Sequence, residues 1–174
     1  CDRPVLLVRP EEDGADEGED VGAGTTLNKM LIPLDGTELS EAALEHAVEL
    51  GGLFGCAYHL VRVVPYPVDI ASPYLPHTVQ MNQGLVEEAQ EAAEDYLKGH
   101  AERMRRRDLQ VDTGVFVDAQ PGHGILREAE ARECDFIAMT THGRSGLTRA
   151  ILGSTSDKVL RGTHVPVLLF RPPG

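Results

Sequence analysis

The stretch "FIAMTTHGRSGLTRAILGSTSDKVLRG" (136–162) decides how the chain is read. It opens as an apolar run of strand length and breaks into a turn with glycines at 143, 146 and 153. At Ser154 it resumes as a helical segment over 154–162. The same alternation recurs on either side. "KMLIPL" (29–34) predicts a strand, and "TELSEAALEHAVELGG" (37–52) predicts a helix with Leu39, Ala43, Ala47 and Leu50 on one face and a stop at the glycine pair. "AYHLVRVV" (57–64) is a second strand, followed by a Pro-spotted loop (65–80) and a long helix over 83–106 that ends in "RMRRRD". Basic residues in that last turn suit the helix C-terminus. A strand (109–117), a helix (122–134), the strand 135–140 and a closing strand "PVLLF" (166–170) complete the series. Apolar strands alternating with helices predict an α/β domain, a parallel sheet covered on both faces. In such a sheet ligands bind at the carboxyl ends of strands, at a topological switch point, and the loop over 140–153 leaves one of those ends.

At 174 residues, one domain is expected. No apolar run is long enough to span a membrane and the first residues do not follow the order of a secretory signal, so the expectation is a soluble, cytoplasmic protein. Cys1, Cys56 and Cys134 lack CxxC spacing, and Cys56 and Cys134, beside strand-like runs, read as reduced core residues. Of the net charge of −12, residues 1–20 hold eight acids against Arg3 and Arg9, a local −6. "EEDGADEGED" (11–20) has no large apolar side chain and reads as a solvated linker over 11–27. An acidic chain without a basic stripe argues against nucleic acid as a partner. The seven histidines do not form a metal site; His46 and His59 are expected half-buried on a helix and a strand.

"PVLLVRP" (4–10) and "PVLLFRP" (166–172) agree at six of seven positions. Residues 1–10 therefore read as the last strand of a preceding, similar domain, with the main domain over 28–174; the plainer alternative is an N-terminal arm that happens to resemble the end. The final strand is a short apolar edge that needs a partner, and residues 4–9 are expected to pair with 166–171.

Glycines in the 140–153 turn let backbone N–H groups approach a ligand, and Gly153-Ser154 opens a helix whose unpaired amides favour an anion. "STSD" (154–157) also has the form of a capping box, with Ser154 as N-cap and Asp157 at N3, so one hydroxyl has two candidate uses. There is no Gly-Lys-Ser/Thr of a P-loop.

These residues resemble a family. "THGRSGLTRAILGSTSDKVL…HVPVLLF" with "MLIPLDGTELSEAALEHA" is similar to the universal stress protein family over about residues 28–172. The resemblance implies an open five-stranded parallel sheet, Rossmann-like and adenine nucleotide alpha hydrolase-like, in the order 3-2-1-4-5. Its ATP-binding members carry Gly, two residues, Gly, nine residues, Gly, then Ser or Thr. Here Gly143, "RSGLTRAIL", Gly153 and Ser154 match, while Thr140 stands at the first glycine. By resemblance, Asp35 and Pro33 lie by the ribose and adenine, Val63 offers its backbone to adenine, Met139 precedes the first glycine position, and Thr155 follows Ser154 in the phosphate loop. Read without the family, Asp35 equally suits the start of a helix. The implied ligand is ATP or another adenine nucleotide, with or without Mg²⁺. The implied assembly is a homodimer or intramolecular pseudo-dimer through 166–171. Three readings stand: a nucleotide-binding regulatory module, a slow ATPase, and a nucleotide-free dimerising module. No catalytic constellation is set by spacing.

Overall fold

The computed structural model describes residues 5–7, 27–65, 76–140 and 153–170, with the backbone alone over 76–82. The acidic linker, Gly143 and most of the glycine turn lie outside the described residues. In chain order the elements are β1 (Val5–Leu7), β2 (Lys29–Pro33), α1 (Glu38–Phe54), β3 (Ala57–Pro65), α2 (Pro76–Arg105), β4 (Val111–Asp118), α3 (Pro121–Ala131), β5 (Phe136–Thr140), α4 (Ser154–Gly162) and β6 (Val167–Phe170).

They build one sheet in the order β1-β6-β5-β2-β3-β4. All neighbours are parallel except β1 against β6. Six strands therefore replace the expected five, because the N-terminal strand adds to the edge. Counted from Lys29, the five parallel strands stand as 3-2-1-4-5. The pleat divides the core. Met30, Ile32, Tyr58, Leu60, Phe136 and Ala138 face α1 and α2, while Leu31, Val61, Ile137 and Met139 face α3 and α4. Burial on both sides explains strands that read as unbroken apolar runs.

Four expectations need correction. Helix α1 does not stop at Gly51-Gly52; it runs to Phe54 and ends at Gly55, in the left-handed region at φ 68. Its buried face is Ser40, Ala43, Leu44, Ala47, Val48 and Gly51, one position round from Leu39 and Leu50, which are only partly covered. Helix α2 begins at Pro76 rather than near 83, since proline suits a first turn that needs no N–H partner. His59 is 1% exposed and His46 lies on the surface, so neither is half-buried. Cys56 and Cys134 are free and buried, as expected, and burial pushes the Cys134 thiol up to about 11. Among the described residues no helix is long and apolar enough to cross a membrane.

Candidate functional site

The carboxyl ends of β2, β3 and β5 meet at a cavity of about 420 Å³. That volume lies within the roughly 300–1,000 Å³ of small-molecule sites. The order β5-β2-β3 makes this the switch point: from β2 the chain proceeds to β3 on one side, and β5 and β6 lie on the other.

Asp35 stands in the turn after β2. Its Oδ1 accepts from the Thr37 N–H at 3.0 Å and the Thr37 hydroxyl at 2.6 Å. Thr37 is itself the N-cap of α1, its Oγ1 accepting from Ser40 N at 3.2 Å, and Ser40 Oγ donates to Thr37 O at 2.9 Å. Asp35 thus both braces the helix start and lines the cavity, so the two uses weighed from sequence are not exclusive.

At the opposite wall, α4 opens with Gly153 as N-cap and Ser154 as its first helical residue. Among the described residues no side chain caps this helix, and with Gly153 rather than Ser154 at the N-cap the expected Ser154–Asp157 box is not formed. Asp157 turns instead to Arg161, whose Nε donates to its two oxygens at 3.0 and 2.9 Å. An i,i+4 ion pair has taken the carboxylate, so Asp157 does not satisfy the first-turn amides. Ser156, 2% exposed, donates its hydroxyl to the Thr140 carbonyl at 3.2 Å and ties this turn to the end of β5.

Of the residues singled out from sequence, Pro33, Asp35, Val63, Met139, Thr140 and Thr155 line one cavity. Gly153 and Ser154 sit where α4 begins. Gly143 lies outside the described residues. Thr140 is buried, yet the cavity stays open beside it. Sequence reading missed Arg62, Ser40, Pro121, Ile125 and Ser156 among the lining residues. Arg62 could have been suspected from its place between Val61 and Val63, since an arginine inside an apolar strand needs a polar outlet. The helical partners carry no local signal. Among the described residues no group of three His, Cys, Asp or Glu side chains could hold a metal ion.

The family model described as "Universal stress protein family" matches residues 26–171. The chain belongs to the universal stress protein family. Its similarity to universal stress protein MJ0531 of Methanocaldococcus jannaschii is 30% identity over 145 residues, covering 83% of this chain and 82% of that one. A universal stress protein of Mycolicibacterium smegmatis is 29% identical over 169 residues, covering 97% of this chain and 51% of that relative. Among solved structures, universal stress protein UspA from Lactobacillus plantarum matches with a TM-score of 0.69 at 20% identity, covering 83% of this chain and 98% of that one. This universal stress protein thus shares the family's α/β architecture, and β1 adds a strand outside the matched span.

Proposed function

We propose that this chain is a cytoplasmic regulatory module of the stress response that binds an adenine nucleotide and pairs through its last strand. The observation that carries the nucleotide reading is the cavity itself: an acid at one wall and, at the other, a helix N-terminus that no described side chain caps, across a switch point. The residues present fit the ligand. The amides of Ser154 and Thr155 would take phosphate oxygens, Asp35 the ribose, and the Val63 backbone the adenine edge. Asp35 is the single acid among the described lining residues, so Mg²⁺ would be held chiefly by the phosphates.

Calorimetric titration of the full chain with ATP, ADP and AMP tests this reading. ATP is expected to bind most tightly, and Gly153→Val to weaken it by about tenfold or more by screening charge-assisted contacts at the helix start. No heat from a folded protein at millimolar ATP would leave a nucleotide-free dimerising module, the reading that Thr140 in place of glycine favours.

The pairing reading draws on register. Val5, Leu6 and Leu7 oppose Leu169, Leu168 and Val167. In the two matching segments Val5 corresponds to Val167, Leu6 to Leu168 and Leu7 to Leu169. Exchanging the segments therefore returns the same pairs, a local two-fold centred on Leu6 and Leu168. β1 occupies the place that β6 of a second domain would take. The coverage of 97% of this chain by half of the longer relative supports the same reading of residues 1–10. Removing residues 1–10 would re-expose the β6 edge, and light scattering is expected to find a monomer for the parent chain and a dimer for the truncated one. A truncated chain that stays monomeric while folded would refute pairing through β6.

A further inference from the structure

We propose that Arg62 is the specificity-determining residue of this cavity, reading with Asp35 a hydroxyl of the bound nucleotide's sugar; the inference rests on the nucleotide reading above. Arg62 and Val63 are adjacent on β3 and project to opposite faces of the sheet. Val63 packs with the α3–α4 core, and Arg62 emerges towards α2. Its guanidinium carbon lies 4.9 Å from the centroid of the Tyr96 ring. Its two terminal nitrogens lie 3.1 and 3.2 Å from where a Cβ on Gly36 would stand, so the group rests against the turn that carries Asp35. Gly36 has φ +86, a second reason for glycine there.

The arginine is firmly seated. Tyr96 donates its hydroxyl to Glu41 Oε1 at 2.9 Å, and the same oxygen lies 3.5 Å from Nε2 of buried His100. Burial, with the Glu41 hydrogen bond, holds the Tyr96 phenol protonated and so a donor. A guanidinium stacked on an aromatic ring keeps its N–H edge available for hydrogen bonding.

Among the described lining residues Asp35 and Arg62 are the only charged ones, and the guanidinium lies against Gly36, the residue after Asp35. The carboxylate accepts only and the guanidinium donates only, whereas a hydroxyl does both. One sugar hydroxyl placed there satisfies each partner. A ligand lacking it deprives the guanidinium edge of that acceptor, and a site built to hydrogen-bond a hydroxyl discriminates against an analogue without one. With Asp35 already fixed through Thr37, the guanidinium supplies the second half of the recognition.

Affinities of ATP and 2′-deoxy-ATP for the full chain, with Arg62→Met and Arg62→Lys, test the proposal, each variant first shown folded by thermal melting. The parent is expected to prefer ATP by about tenfold or more, the effect of one hydrogen bond to a charged group. Arg62→Met should bring the two affinities within about threefold of each other, chiefly by weakening ATP. Arg62→Lys should fall between, because lysine keeps the charge and loses the planar fork. Tyr96→Leu, which removes the ring under the guanidinium and no cavity charge, should also reduce the preference. An Arg62→Met protein that keeps the parent's ratio overturns the proposal, as does a parent that binds both nucleotides equally. A parent that binds neither overturns the nucleotide reading itself.

Discussion

Gly51→Ala is expected to destabilise the protein by about 2 kcal/mol, and Gly52→Ala, one residue along the same helix, to stabilise it by roughly 0.5–1 kcal/mol. A Cβ at Gly51 would stand 2.6 Å from the Tyr58 hydroxyl oxygen and 2.8 Å from a ring carbon. Tyr58 is 1% exposed and donates to Val48 O at 3.1 Å, so it has nowhere to retreat without breaking a buried hydrogen bond. The helix pushes away instead. At Gly52 a Cβ meets nothing within 4 Å, and alanine there only restricts the unfolded chain and favours the helix. Urea unfolding of the two variants beside the parent reads both signs. Equal shifts would mean that α1 does not seat on Tyr58.

Glu128→Ala should cost about 3 kcal/mol at neutral pH, and Glu128→Gln distinctly less. Glu128 is 6% exposed; its Oε1 is 2.8 Å from His59 Nε2 and accepts from Arg132 Nε at 2.9 Å. Alanine leaves the fully buried imidazole without its partner, whereas glutamine keeps an acceptor. Burial lowers His59 below the usual histidine value, outweighing the Glu128 hydrogen bond and charge that raise it; Arg132 lowers it further and Asp112 raises it. His100 is lowered too, by burial first and then by Arg103. The sign follows. Both histidines take up protons more readily unfolded than folded, so stability is fully present above the unfolded value of about 6.5 and is lost as pH falls through the folded values. Without Glu128 nothing on α3 holds a proton on His59, and the acid loss should extend to lower pH. Denaturation midpoints across this range check it, and an alanine variant as stable as the parent would show that the pair is not structural.

These two sites mark where sequence reading reached its limit. The order and type of the elements were legible because apolar strands, helical periodicity and proline or glycine breaks are local signals, and Lys29–Pro33, Ala57–Pro65 and Phe136–Thr140 lie close to where those signals put them. The glycine pair in α1 was misread as a stop because nothing near it in sequence reveals a tyrosine packed against the helix; the real stop, Gly55, takes the left-handed cap. The rotation of the buried face from Leu39 to Ser40 has a similar cause, since Ser40 is drawn in by the Thr37 carbonyl and the Asp35 amide. In the site, Asp35 stands where a strand end meets a helix start, which suits a cap as well as a ligand, and Thr155 was reached through the resemblance to the family. Arg62 was passed over because its partner Tyr96 lies on a helix that the sequence does not visibly aim at it.

Composition and periodicity alone determined the class of this protein, the strands that are buried on both faces, and the loop that meets a strand end at the switch point. Which side chains come together was decided only when the sheet closed: laying Arg62 against the Gly36 turn, and pairing His59 with Glu128 and Leu6 with Leu168, joins residues that lie far apart along the chain. The reason is physical. Local pattern follows from backbone sterics and hydrophobic period, which act over a few residues, while charge and hydrogen-bond partnership in a core are settled by which elements pack together.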